Sequence, residues 1–189
     1  MIPLTILVDK EEKKKVEYPS TVNWYDPYQE EEIGFPATVE WYDRSGGKKE
    51  LLKITPKPFP LTEKNGLAGD YCVEGFEKYA GIERKGSYDE LSTNFFSPDS
   101  YRFRKAWDRF LGVYRRKALL LDFRPWAEIT NPKTKPAERI RSTLFRLCAE
   151  GGVDILWVPR LQSPAGKYRT GELITQWLWT NIQEEIRRG

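Results

Sequence analysis

The sequence predicts an α+β fold, in which a β-rich N-terminal part precedes an α/β part with a parallel strand-helix-strand crossover. A duplicated eight-residue stretch with strand-like alternation lies near the N-terminus. Two continuous apolar runs flank an amphipathic helical pattern near the C-terminus. We therefore divide the chain into a β-rich, acidic part, residues 1–95, expected to dock on partners, and a basic α/β part, residues 96–189. Whether the two parts are separate domains or pack as one stays open from the sequence.

The N-terminal part begins with the apolar run IPLTILV at 2–8, which predicts a strand that ends at Asp9. PSTVNWYD at 19–26 is then repeated as PATVEWYD at 36–43, with six of eight positions unchanged. In each copy the valine and tryptophan alternate with the tyrosine, as in a half-buried strand. We expect a duplicated strand-turn unit in a small antiparallel sheet or barrel, with residues 39–43 and 50–55 paired as an antiparallel hairpin.

The segment that follows this hairpin contains several prolines and glycines, which interrupt regular secondary structure. PKPFPL at 56–61 predicts that the chain leaves the sheet, because proline has no N–H to donate to a strand ladder. GDYCVEGFEKYAGI at 69–82 predicts one further strand.

The α/β part opens with a helix signal, in which Ser97 is the expected N-cap and Pro98 the first helical residue. Buried strands are expected at 118–123 and 153–158, with a helix between them that starts near Pro136 and ends near Gly151. A last helix is expected at about 171–187. Apolar residues that recur every three or four positions give the first helix one core-facing stripe: Phe103, Trp107, Phe110, Leu111 and Tyr114.

Composition excludes several function classes. The chain has no histidine, which removes triad hydrolases, histidine-metal nucleases and histidine-dependent ribonucleases. Its two cysteines lie far apart, so they indicate neither a zinc site nor a disulfide framework. No phosphate-binding glycine loop and no dinucleotide fingerprint is present. We therefore expect neither a cofactor nor a bound metal, and we leave open whether the chain is an enzyme.

Charge is distributed unevenly between the two parts of the chain. Residues 1–100 contain 13 Lys/Arg against 19 Asp/Glu, whereas residues 101–189 contain 18 against 9. Seven basic residues against one acid crowd the stretch 102–117, which favours a phosphate-rich partner. The predicted contacts with nucleic-acid backbone are Arg102, Lys105, Arg109, Arg116, Arg139, Arg146, Arg160 and Lys167. Tyr25 and Tyr42, on the faces opposite to the repeated tryptophans, are further candidates for contact.

The favoured hypothesis is a non-enzymatic subunit of a nucleoprotein assembly, with RNA or DNA and proteins as partners. One alternative is a purely structural interaction component, in which the basic helix binds an acidic surface. The other is a carboxylate- and Mg²⁺-dependent nuclease, for which Asp43, Glu50 and Lys53 form a weak candidate set. Their spacing departs from the usual Glu-x-Lys step, because Glu50 and Lys53 fall on opposite faces of a strand. We expect a soluble, cytoplasmic protein with no membrane partner, since no apolar run is long enough to span a bilayer.

Overall fold

The computed structural model describes residues 2–12, 16–18, 40–42, 49–123, 137–158 and 164–188. Seven strands form a sheet in the spatial order β2-β3-β1-β4-β5-β6-β7. β1 runs parallel to β3, and β5, β6 and β7 are mutually parallel, whereas β4 is antiparallel to both of its neighbours. The strands are β1 (Ile2–Asp9), β2 (Glu40–Tyr42), β3 (Lys49–Phe59), β4 (Tyr71–Val73), β5 (Ala80–Lys85), β6 (Arg116–Asp122) and β7 (Asp154–Val158).

Helices cover both faces of the sheet. One face packs against the first three helices through a core that includes Leu91, Phe110 and Leu144. The other face packs against the last helix through a core that includes Ile174, Leu178 and Ile182. The described helices are α1 (Tyr88–Phe96), α2 (Ser100–Val113), α3 (Ala137–Gly151) and α4 (Pro164–Arg188). The mixed α+β class is thus confirmed, and so is the parallel crossover from β6 through α3 to β7.

Strands from both predicted parts of the chain lie in this sheet. β5 belongs to residues 1–95 and β6 to residues 96–189, and the two pair in parallel from Ala80 opposite Arg116 to Lys85 opposite Leu121. The boundary at residues 95 and 96 stays a prediction. The antiparallel hairpin is confirmed where it is described, with Trp41 opposite Glu50. The first copy of the repeat lies outside the described residues.

The prediction for the proline-rich stretch is wrong, because β3 continues to Phe59 and pairs with β1 along its whole second half. The carbonyl of Phe59 accepts a bond from the Lys10 N–H at 3.3 Å, so odd-numbered residues of β3 direct their backbone groups toward β1. Pro56 and Pro58 are even-numbered. Their missing N–H groups therefore face away from β1, and the ladder is kept.

Two further predictions require correction. Ser97 is the C-cap of α1, a helix that the sequence reasoning missed, and α2 begins only at Ser100 with Asp99 as its N-cap. Residues 69–82 contribute to two strands and not to one, since β4 and β5 form an antiparallel pair.

The predicted apolar stripe of α2 is confirmed, with Trp107 and Phe110 buried. Among the described helices, none has the length and apolar character that crossing a membrane requires.

Candidate active site

Acidic residues meet at the edge of the sheet where β1 and β5 end and β4 begins. Asp9 is the last residue of β1, and Asp70 directly precedes β4. The Asp9 N–H donates to the Asp70 carbonyl at 2.9 Å, and the Asp70 N–H donates to the Ile82 carbonyl of β5 at 2.8 Å. Two aspartates that are 61 residues apart in sequence are thus fixed side by side by the sheet's own ladder. The carboxyl ends of parallel strands are where α/β folds commonly place their sites.

β5 adds a glutamate and a lysine to this edge. Glu83 and Lys85 are two residues apart on one strand, so both side chains point to the same face of the sheet. The Lys85 Nζ donates to Glu83 Oε1 at 2.7 Å and to Glu90 Oε1 at 3.3 Å. It also lies 5.7 Å from the centroid of the Phe103 ring, on α2. Lys85 is 8% exposed, so its ammonium group is enclosed by these three neighbours.

Burial and mutual repulsion perturb these carboxyl groups. The pKa of Asp70 lies well above its usual value, first because burial disfavours the charged form and then because the Glu83 carboxylate is close. The Lys85 ammonium and the N–H of Arg84, which donates to Asp70 Oδ2 at 2.6 Å, oppose this rise in pKa. Burial also raises the pKa of Asp9, and Glu83 contributes to that rise. Strongly perturbed acids that gather in one cleft are typical of functional sites.

The lysine is held in its charged form. Burial alone would lower the pKa of Lys85, but the nearby carboxylates of Glu83, Glu90 and Asp70 raise it above its usual value. Lys85 is therefore a fixed positive charge at the site. It can donate hydrogen bonds to an anionic substrate but cannot accept a proton near neutral pH.

Except for Glu83, these residues line a cavity of about 440 Å³. Its wall includes Asp9, Asp70 and Lys85, together with Glu11, Glu12, Arg84, Gly86 and Glu90. The donor set fits a hard divalent cation such as Mg²⁺, because carboxylate oxygens are its preferred protein ligands. The surroundings of Asp70 and Asp9 also destabilise the charged form of both carboxyl groups.

The carboxylates are not yet gathered around one point. Within the described ranges, no three acidic or cysteine side chains form a group arranged to hold a metal ion. Glu83 points its carboxylate at Lys85 instead. A cation at this site would therefore share the Glu83 carboxylate with the lysine or draw it away.

Arg84 lies between Glu83 and Lys85 but points to the opposite face of the sheet. Its guanidinium pairs with the Asp122 carboxylate, donates to the Tyr71 hydroxyl at 3.2 Å and lies 3.6 Å from Glu12 Oε1. Asp122 is 5% exposed and is paired with this arginine. The pair anchors the strand that carries the site.

The predicted backbone contacts on α2 lie on one stripe. Arg102, Lys105 and Arg109 are three and four residues apart, and the first two are exposed whereas Arg109 is half-buried. Glu63, on the loop that covers this face, lies 2.6 Å from Arg109 and 3.5 Å from Lys105. Because Phe103 on the same helix touches Lys85, the stripe lies on the helix that borders the acid-lysine cluster.

The other predicted contacts are scattered. Arg116, at the start of β6, pairs with Glu184 of α4 at 3.7 Å, on the part of the sheet far from the carboxyl ends. Arg139 stacks over the Phe96 ring at 4.9 Å. Arg146 of α3 and Lys167 of α4 are exposed. Tyr25, Arg160 and the side chain of Tyr42 lie outside the described residues, as do Asp43 and the side chain of Glu50, so contact at all of these positions stays a prediction.

The sequence reasoning missed Asp9, Asp70, Glu83, Lys85 and Glu90. The signal was present, because Glu83-Arg84-Lys85 has the Glu-x-Lys spacing that Glu50 and Lys53 lack. Asp9 and Asp70 carried no local signal, since only the order of strands in the sheet brings them to β5.

No protein-family model and no curated protein matches the chain. Among solved structures, XPF from Aeropyrum pernix is similar at a TM-score of 0.50 and 19% sequence identity. XPF from Aeropyrum pernix in complex with DNA is similar at a TM-score of 0.53 and 17% identity. The matches cover 92% and 96% of this chain but 60% and 66% of those chains. The chain thus spans less than two thirds of the length of either structure, and the likeness is one of fold.

These findings correct the favoured sequence-based hypothesis. The prediction of a non-enzymatic subunit is contradicted by the likeness in fold to XPF, one structure of which contains DNA. The absence of histidine has no bearing on a site of three acids and a lysine, which needs none.

Proposed function

We propose that the chain is a divalent-cation-dependent nuclease that hydrolyses phosphodiester bonds in DNA. The observation that carries the proposal is the cluster of Asp9, Asp70, Glu83 and Lys85 at the carboxyl ends of the strands. The likeness in fold to XPF in complex with DNA supports nucleic acid as the partner.

Each residue of the cluster has a role in this reaction. Asp9, Asp70 and Glu83 would hold the cation, which when bound supplies Lewis-acid stabilisation of negative charge on the phosphate. Lys85 donates a hydrogen bond to a non-bridging oxygen of the scissile phosphate and stabilises the charge that develops there. Attack by water forms one phosphorus-oxygen bond while the bond to the leaving oxygen breaks. The water gives up a proton to solvent, and the leaving oxygen takes one up.

The basic stripe of α2 supplies contacts to the DNA backbone in this proposal. Arg102, Lys105 and Arg109 would bind phosphates and guide the strand toward Lys85, without reading base sequence. Each phosphate contact contributes about 0.9 to the slope of log affinity against log salt. Replacing Arg109 and Lys105 by alanine should therefore flatten that slope and weaken DNA binding at low salt. An unchanged slope would exclude these residues from the interface.

Cleavage of end-labelled DNA tests the activity. The purified chain should cut DNA with Mg²⁺ or Mn²⁺ and lose the activity with a chelator. Lys85→Met should slow cleavage by about 100- to 1000-fold, the loss typical of removing one group that stabilises charge in a transition state.

Lys57→Met is the matched control, because Lys57 is an exposed strand lysine on β3 that pairs with Glu74 and is not part of the cluster. It should cleave at the rate of the unchanged chain. Cleavage that persists with a chelator, or that survives in Lys85→Met, would contradict the assignment.

Protein partners and a cytoplasmic location are retained as further proposals. The acidic composition of residues 1–95 supports a protein-binding role for that part of the chain. Purification of the native protein with its bound proteins, together with cell fractionation, tests both.

A further inference from the structure

The ammonium group of Lys85 has two carboxylate partners with different roles. Glu83 is the nearer, with its Oε1 at 2.7 Å from Nζ, and it is one of the expected cation ligands. Glu90 is the second, with its Oε1 at 3.3 Å. Glu90 lies on α1, which places the two acids on different elements. Lys85 therefore has one partner that can leave for a cation and one that can stay.

Glu90 is itself held in place by the start of its helix. Its Oε2 accepts the Gly86 N–H at 3.0 Å, and its own N–H donates to the Ser87 Oγ at 3.2 Å. This is a variant of the capping arrangement in which a glutamate in the first turn reaches back to the chain before the helix. Because Gly86 directly follows Lys85, the same carboxylate fixes the end of β5 and the side chain that projects from it.

A cation bound by Glu83 would compete with Lys85 for the same carboxylate, whose Oε1 now accepts from the lysine at 2.7 Å. A lysine side chain has four rotatable bonds, so an ammonium group that loses its only close acid samples many positions. We propose that Glu90 is a positioning residue that keeps Lys85 at the site when Glu83 turns to a cation. This inference rests on the proposed function, since it assumes that Glu83 is a cation ligand.

A double-mutant cycle between Glu90 and Lys85 tests the inference. The variants are Glu90→Gln, Lys85→Met and the two combined, each measured for DNA cleavage and, separately, for Mn²⁺ binding by calorimetry. Glutamine keeps an oxygen that can accept the Gly86 N–H, so the helix start is preserved while the charge is lost. Glu138→Gln is the matched control, because it removes an exposed carboxylate from the first turn of another helix, α3.

Glu90→Gln should lower kcat and the affinity for Mn²⁺ by about 10-fold each, the lower end of the range typical of residues that support a metal site from outside it. KM for DNA should stay within about twofold, because the proposal gives Glu90 a contact with Lys85 and none with the substrate. In the Lys85→Met background the same substitution should change neither quantity. Glu138→Gln should behave as the unchanged chain.

Equal effects of Glu90→Gln in both backgrounds would overturn the inference, since Glu90 would then act without Lys85. No effect in the unchanged chain would overturn it as well. If Glu90→Gln fails to fold, Glu90→Asp, which keeps the charge, replaces it and should lose less than about twofold in Mn²⁺ affinity. A chain that cleaves no DNA refutes the proposed function, whereas the Mn²⁺ cycle still decides whether Glu90 acts through Lys85.

Discussion

Replacement of Asp70 by asparagine should make the protein more stable and inactive. The Asp70 carboxylate is buried, lies near Glu83 and has a pKa well above the usual 3.8. Asparagine has nearly the same shape as aspartate and keeps an oxygen that can accept the Arg84 N–H. In the unchanged chain the Arg84 nitrogen lies 2.6 Å from Asp70 Oδ2. The substitution thus removes a charge that the folded state disfavours and leaves the packing intact.

The sign of the effect follows from the linkage between proton binding and folding. Because folding raises the pKa of Asp70, its ionisation destabilises the folded state as pH rises through that folded-state pKa. Below pH 3.8 the group is protonated in both states and has no such effect. The neutral amide accepts a hydrogen bond about 1 kcal/mol weaker than a carboxylate does, which offsets part of the gain. A net increase of about 0.5–2 kcal/mol in the free energy of unfolding is expected at pH 7.

Urea unfolding of both proteins at several pH values measures this difference, and cleavage of labelled DNA measures the activity. The gain in stability should shrink as pH falls toward 3.8, and cleavage should drop by at least about 100-fold. A variant that is less stable than the unchanged chain at pH 7 would refute the reasoning. So would a gain in stability that grows as pH falls.

Two further substitutions test the packing around the site. Arg84→Met leaves the buried Asp122 carboxylate without its ion-pair partner. Urea titrations should show a loss of about 3–5 kcal/mol in the free energy of unfolding, and a loss under about 1 kcal/mol would contradict a buried pair. Gly81→Ala places a Cβ 2.5 Å from the Tyr114 ring and should cost about 1–3 kcal/mol by thermal unfolding. Gly112→Ala, in a helix with open space around it, should be neutral or stabilising, and equal losses in both alanine variants would contradict the packing argument.

The C-terminal half of the fold could be predicted because its strands are buried on both faces. Leu119, Leu120 and Leu121 are all buried between two helical layers, so β6 reads as a continuous apolar run. β5 gave no such signal, since its second half is Glu83, Arg84 and Lys85. The charged residues that identify the site are therefore also the reason why β5 is hard to recognise as a strand from the sequence.

The candidate site could be predicted only in part, for a related reason. A search for Glu-x-Lys spacing finds Glu83 and Lys85 in the sequence alone. Asp9 and Asp70 reach them through two antiparallel pairings, β1 with β4 and β4 with β5, and nothing local in the sequence determines that order of strands. The basic residues of 102–117 were conspicuous because they lie close together in the sequence. Closeness in sequence says little about which of them share a face of the helix.

The prolines of β3 have a consequence for solubility. Past Leu51, β3 has a strand neighbour only on the β1 side within the described part of the chain. A bare strand edge is a template on which other chains can assemble. Pro56 and Pro58 present no N–H on that outer side, so an incoming strand would find acceptors without the donors that a ladder requires. The residues that the sequence reasoning took as the end of a strand thus protect its exposed edge from aggregation.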